Sequence, residues 1–237
     1  MRTASLWGAP PTRYYTFLRR LEQAAGHRPV SLAVLGCADG KFVVPAARRG
    51  IRVWAVDIDE VTLFGGTKPG ADGPVRVPGL AARLAAERLA GLVEITCGDF
   101  TGLPQGRCFD GVLTSGALQY SSNTGRDLGQ MVAAVGAYVR LSGLLYVDYM
   151  LPHEDKYKGR PNCPDASWWK DYFARREEWD VVYNRAMPPT LDRAHLDYPV
   201  DHYHQWGHLL ARRALAGQAA ASLSGTRPGA AGESRPR

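Results

Sequence analysis

Leu32-Ala-Val-Leu-Gly-Cys-Ala-Asp-Gly-Lys-Phe42, followed by Val53-Trp-Ala-Val-Asp-Ile-Asp59, decides the fold of this 237-residue chain. A short apolar run ends in a glycine-bearing turn, a helix-compatible segment follows, and a second apolar run ends in an acid. Asp57 stands 21 residues after Gly36. This is the layout of a nucleotide-binding β-α-β unit. Gly36 and Gly40 let the backbone turn tightly and approach a ligand. An acid after the second strand can accept hydrogen bonds from both hydroxyls of a ribose. Together they point to an adenosine-containing cofactor.

Two later segments extend the pattern. Val93-Glu-Ile-Thr-Cys-Gly-Asp-Phe100 is another apolar run ending in an acid, Asp99, and Phe109-Asp-Gly-Val-Leu-Thr-Ser-Gly-Ala-Leu-Gln-Tyr120 ends in small and polar residues. Strand ends of this kind line one crevice in an open parallel sheet. Strands are expected near 31–35, 51–56, 92–96, 109–114 and 144–149, with helices over 39–49, 80–90 and 127–140 between them. Residues 12–25 read as an amphipathic helix with Tyr14, Phe17, Leu18 and Leu21 on one face. Residues 60–79, rich in glycine and proline, read as an irregular loop. The alternation implies a parallel sheet with helices on both faces.

At this point the chain resembles the class I S-adenosylmethionine-dependent methyltransferases, over roughly residues 12–150 with a final hairpin at 179–213. The resemblance implies an α/β fold, Rossmann-like and doubly wound, with a mostly parallel seven-stranded sheet whose final strand is antiparallel. It implies S-adenosyl-L-methionine as cofactor, with the loop Gly36-Cys37-Ala38-Asp39-Gly40 around its methionine part. Asp57, with Ile58 beside it, would hold the ribose. Asp99 would contact the adenine amino group, Phe100 would lie by the ring, and Ser115 and Gly116 would sit beside the sulfonium. Tyr14 or Tyr15 would cover the amino-acid end, and Arg13 would pair with its carboxylate. The chain departs from the family at Val34, where the first strand often carries an acid, and at Ala38, which replaces a glycine. Close backbone approach survives at Ala38 if its φ is negative, and Asp39 can partly replace the missing acid.

Length and composition fit one domain over 1–213, with 151–178 as a substrate-covering insertion. The tail, 214–237, is rich in Ala, Gly, Ser and Pro and is expected to be disordered. No run is long enough to span a bilayer, and the absence of a signal-like start points to the cytoplasm. Cys37, Cys97, Cys108 and Cys163 contain no C-x-x-C pair, in keeping with a reducing compartment. The net charge is +6, of which +4 falls from Arg212 onward. A nearly neutral body argues against nucleic acid as partner and for a small-molecule methyl acceptor. The sequence carries no signal for oligomeric state.

Methyl transfer from a sulfonium is an in-line displacement, so a base is optional. Candidates follow the fifth strand: His153 as a proton acceptor and Tyr149 as a hydrogen-bonding partner of the nucleophile. Asp148 and Tyr149 alternate across the sheet, so only one of them faces the pocket. Tyr120, Trp168 and Trp169 are candidate substrate contacts. Trp168, Trp169, Tyr172 and Phe173 can wall off an apolar acceptor, cage an amine, or pack as core. His202, His204 and His208 share parity on the last strand, with His195 nearby. With no cysteine close, they are expected to serve structure and substrate contact, with no metal.

The leading expectation is a methyltransferase acting on O or N of a small molecule in specialised metabolism. An RNA methyltransferase and a non-catalytic S-adenosylmethionine-binding interaction protein are the alternatives. The Pro-Pro-aromatic and Pro-Cys motifs of base methyltransferases are absent after the fourth strand, and the loop lacks the G-x-G-x-x-G spacing of nicotinamide dehydrogenases.

Overall fold

The computed structural model describes residues 4–70, 73–104, 106–153, 157–192 and 200–215. His195 and residues 216–237, on which most of the disordered-tail expectation falls, lie outside the described residues. Chain order runs α1 (Thr12–Ala25), β1 (Ser31–Leu35), α2 (Val43–Ala47), β2 (Arg52–Asp57), α3 (Glu60–Phe64), β3 (Gly66–Gly70), β4 (Gly73–Val77), α4 (Leu80–Ala86) and β5 (Val93–Cys97). It continues with β6 (Phe109–Ser115), α5 (Leu128–Ala137), β7 (Val139–Leu151), α6 (Ala166–Ala174), β8 (Trp179–Ala186), β9 (Thr190–Asp192) and β10 (His202–Arg213).

The near-continuous apolar runs of β1, β2 and β6 cannot face water on either side, and they occupy the middle of the sheet. The order is β5-β2-β1-β6-β7-β10-β8. The first five pair in parallel, and β10 inserts antiparallel between β7 and β8. The mostly parallel sheet with an antiparallel final strand is therefore present. A short extra strand, β9, pairs with the start of β10.

Two apolar layers cover the sheet. α1 lays Tyr14, Phe17, Leu18 and Leu21 against one face, where they join Leu113, Tyr146 and Leu210. Gly26, at φ 63°, ends that helix. α5, started by a capping box between Asp127 and Gln130, packs on the other face with Val147, Tyr149, Trp169 and Leu209. Strand parity sorts β7 between these layers: Tyr146 and Asp148 face α1, while Val147 and Tyr149 face α5 and α6.

The segment 60–79 is more regular than its composition suggests. The Asp59 carboxylate accepts the Val61 and Thr62 N–H groups and starts α3. The Gly- and Pro-rich stretch after it folds into the β3–β4 hairpin, outside the main sheet. β7 also begins earlier than expected. Its pairing with β6 shifts register between Phe109 and Gly111, so Val139 joins the strand ahead of an irregular Arg140–Gly143 stretch with Ser142 at φ 62°. No helix among the described residues is long and apolar enough to cross a membrane.

Gly207 of β10 lies opposite Tyr149 of β7, and a Cβ there would stand 2.1 Å from the tyrosine ring. The ring fills the space the glycine leaves. Gly207→Ala should therefore cost about 1–3 kcal/mol through forced displacement of Tyr149, read as a lower denaturation midpoint; an unchanged midpoint would show that the ring moves freely.

Candidate functional site

The carboxyl ends of β1, β2 and β6 meet at one crevice, and β2's end is stitched to its neighbours by backbone. Gly36 and Cys37 both donate N–H to the Val56 carbonyl, at 2.8 and 3.0 Å, which folds the loop over the end of β2. Gly98 donates to the Asp57 carbonyl at 2.8 Å and draws in the end of β5. The Asp57 carboxylate accepts the Ala38 N–H at 2.7 Å on one oxygen and the Asp59 N–H at 3.0 Å on the other. Burial raises the Asp57 pKa, and these backbone donors oppose the rise.

Gly36 adopts φ 75°, and a Cβ on it would stand 2.4 Å from the Ala117 Cβ. The loop thus touches the turn that follows β6, which begins at Ser115 and Gly116. Ala38 sits at φ 46°, in the left-handed region. The negative φ expected for an alanine there is not what the chain adopts, since the loop turns its N–H toward Asp57. The site keeps a glycine-type conformation with an alanine in it.

Asp39 and Tyr14 are not turned toward the crevice. The Asp39 carboxylate, 2% exposed, accepts from Ser5 Oγ at 2.6 Å and from the Leu6 N–H at 2.8 Å, and lies 3.3 Å from Arg83 Nη1. It fastens the N-terminal segment and α4 to the loop instead of standing in for the acid absent at Val34. Burial pushes Arg83 below the usual guanidinium range, Asp39 acting against it. Tyr14 is fully buried and donates its hydroxyl to the Phe42 carbonyl, while Tyr15 is 37% exposed. The Cys37 thiol is buried and pushed upward by that burial, which makes it a packing group.

Ile58, directly after the acid, is 65% exposed. Apolar surface of that size beside a carboxylate suits the flank of a flat ligand. Asp99 accepts the Thr101 N–H at 2.8 Å and orders its own turn. Phe100 is buried at 7% in the α5-side layer, and its carbonyl accepts the Tyr138 hydroxyl. It is a core residue and not a ring flank. Tyr120, 55% exposed, lies in the 3-10 turn Leu118–Thr124 at the end of β6.

No protein-family model matches the sequence, and no curated protein matches it. Solved structures do. TehB from Haemophilus influenzae superposes with TM-score 0.56 at 12% identity, over 82% of this chain and 62% of that one, so the chain spans under two thirds of that protein. The 1,6-didemethyltoxoflavin-N1-methyltransferase of Burkholderia thailandensis, with bound S-adenosylhomocysteine, gives 0.56 at 17% identity over 86% and 79%. Magnesium protoporphyrin IX methyltransferase from Synechocystis PCC 6803, with bound SAM, gives 0.55 at 14% identity over 88% of each chain. The chain has the class I methyltransferase fold.

Within this fold, the β7–β10 pair brings a second polar group beside the crevice. Asp148 is opposite His208 and hydrogen-bonded to its Nδ1, both nearly fully buried. The same carboxylate accepts Ser115 Oγ at 3.0 Å, with Arg13 Nε at 3.8 Å, and the Asp148 carbonyl accepts the Gly116 N–H at 3.1 Å. A carboxylate can only accept, so Nδ1 carries the proton and Nε2 the lone pair. Nε2 of His208 is buried and has no hydrogen-bond partner among the described residues. Lys41, lowered by burial, feels Asp148 and Asp192 together.

Tyr149 is on the other face. It stacks on Trp169 at 4.2 Å and donates its hydroxyl to Asn184 Oδ1 at 2.5 Å. Burial pushes that hydroxyl up to about 12, the Asn184 bond pulling the other way. Trp169 is 1% exposed, and Trp168 stacks on Tyr172 at 5.0 Å. These rings are the core beneath α6, so of the readings open for the aromatic cluster the packing one describes it. His153 is exposed, with its ring 6.4 Å from Tyr203. His208 was legible in the sequence only as a parity mate of His202 and His204; its carboxylate partner lies 60 residues away and appears only when β10 pairs with β7.

Ala38→Gly should leave stability unchanged or raise it by up to about 1 kcal/mol, since relief of a left-handed alanine outweighs the added chain entropy; a loss in thermal unfolding would contradict the strained geometry. An adenosyl ligand's ribose hydroxyls must donate to the charged form of Asp57. Affinity for S-adenosylhomocysteine should therefore fall from about pH 7.5 to about pH 5 as this raised carboxyl takes up a proton. Asp57→Asn should bind at least about tenfold more weakly at neutral pH and lose that dependence, and a parallel pH profile in the variant would remove Asp57 from the effect.

Proposed function

We propose that the chain is an S-adenosylmethionine-dependent methyltransferase that transfers a methyl group to an oxygen or nitrogen of a small molecule, of the kind made in specialised metabolism. The carrying observation is the Asp57 carboxylate, fixed at the end of β2 by the Ala38 and Asp59 N–H groups in a fold shared with enzymes solved with SAM or S-adenosylhomocysteine. The residues present fit an adenosyl ligand: an anchored acceptor for a ribose, an exposed Ile58 beside it, and a Gly36 that lets the loop come to the end of β6.

When bound, S-adenosylmethionine supplies an already activated methyl group. In this reading Asp57 takes the ribose hydroxyls with its remaining lone pairs. Gly36–Gly40 lies along the methionine part, and Asp99 and Ile58 border the adenine. Ser115 and Gly116 position the reacting end. Residues 157–165, tied to the end of β6 by the Asn162 amide on the Gln119 carbonyl, close the acceptor side. Tyr120 and the exposed His153 form its rim.

Where the acceptor must lose a proton, His208 receives it. Asp148 holds Nδ1–H, which leaves the Nε2 lone pair for the proton of an incoming hydroxyl or amine, and the imidazolium formed rests against the same carboxylate. An acceptor group reaching Nε2 also satisfies a buried atom that otherwise lacks a hydrogen bond. This role passes to His208 from Tyr149, whose hydroxyl is held by Asn184.

Incubation with methyl-labelled S-adenosylmethionine and a panel of phenols, alcohols, amines and carboxylic acids tests the proposal. Labelled small-molecule product is expected. Label in added RNA instead would favour the nucleic-acid reading, and tight S-adenosylhomocysteine binding with no transfer to any acceptor would favour a non-catalytic binding protein. With an acceptor found, His208→Gln should lower kcat at least about tenfold while S-adenosylhomocysteine affinity stays within about twofold; unchanged kcat would remove His208 from the chemistry.

A further inference from the structure

The start of β10 carries a second cluster of titratable side chains, away from Asp57. β9 pairs with β10 so that Asp192 lies directly opposite His202 and Thr190 opposite His204. Residues two apart on a strand share a face, so His202 and His204 point the same way, and Asp192 reaches both, one across the pair and one on the diagonal. One potential ligand atom from each of the three lies within 4.8 Å of the other two. His202 is 5% exposed, and its neighbours on this face are partly buried.

The second-sphere contacts are those of a ligand set. His202 Nδ1 donates to the Val200 carbonyl at 2.8 Å, which fixes the tautomer with its lone pair on Nε2. His204 Nδ1 stands 2.8 Å from Asp192 Oδ2, so the carboxylate and this ring are in contact before any cation is considered. The two imidazoles meet edge to face at 4.4 Å between centroids. Tyr157 and Trp206 wall the His204 ring at 6.3 and 5.7 Å.

We propose that Asp192, His202 and His204 form a binding site for a divalent first-row transition cation of the zinc class. Two imidazoles and one carboxylate are the donors that such ions take in preference to the hard cations calcium and magnesium. Three protein ligands leave a position for water or for an oxygen or nitrogen of a second molecule. That position lies on the acceptor side of the crevice: Trp206, next to His204 on the same face, stands 3.4 Å from where a Cβ on Gly116 would be. A cation here would orient an acceptor through a lone pair, in addition to closing β9 onto β10. The site is independent of whether the crevice holds S-adenosylmethionine.

The test uses the full chain, stripped of metal with a chelator and titrated with Zn2+ by calorimetry and with Co2+ by visible absorption. About one equivalent should bind with a Kd near or below about 1 µM, and Zn2+ should raise the melting temperature. Asp192→Asn and His204→Gln should each weaken binding at least tenfold and change the Co2+ spectrum, whereas His27→Gln should leave both unchanged. Asp192→Asn lies on a three-residue strand off the main path of the sheet, so its fold is checked by circular dichroism and by S-adenosylhomocysteine affinity, which it should retain. Substoichiometric binding by the wild-type chain, or equal affinity in the two site variants, would overturn the site and leave His204–Asp192 as an ordinary hydrogen bond.

Discussion

The hydrogen bond from the Ala38 N–H to the Asp57 carboxylate ties the loop after β1 to the end of β2. The rest of the crevice depends on it. It holds Ala38 in the left-handed region and places Gly36 against Ala117, and so sets the distance between the ends of β1 and β6. Burial alone would favour the neutral acid, and the two backbone donors are what support the charged form that a ribose requires. One carboxylate thus serves as a strut for the loop and as the candidate anchor for the ligand.

The central β-α-β order was legible because its signals are local. Apolar runs without polar alternation mark buried parallel strands, and Gly36, Gly50 and Gly91 mark where elements stop. The strand order follows from that alternation, and the antiparallel β10 follows from family likeness. The less legible parts are those where a residue's partner is remote in sequence. Tyr149 was readable as a pocket residue because it follows a strand's carboxyl end, but its ring is committed by Gly207 and Asn184 across two neighbouring strands. Asp39 was readable as a ligand-side acid, but Ser5, Leu6 and Arg83 converge on it. Phe100 and Trp169 carried correct apolar character with the wrong surroundings, since α5 and α6 roof the face they occupy.

The antiparallel return of β10 concentrates chemistry on one face. His202, His204, Trp206 and His208 alternate along it, passing from the β9 contact to the Asp148 contact beside Ser115. A strand is a ruler of about 3.3 Å per residue, so this one places imidazoles at graded distances along the acceptor side. The adjacent loop adds Lys41, which feels both Asp148 and Asp192. A fold held in common with many enzymes leaves reaction specificity to side chains such as these.

Titration of the purified chain with S-adenosylhomocysteine in a calorimeter, with NAD as control, tests the central claim most directly. The account predicts one site of about micromolar affinity or tighter for the adenosyl ligand and no saturable heat with NAD. Absence of binding by S-adenosylhomocysteine, or binding of NAD with equal strength, would contradict the assignment of the crevice.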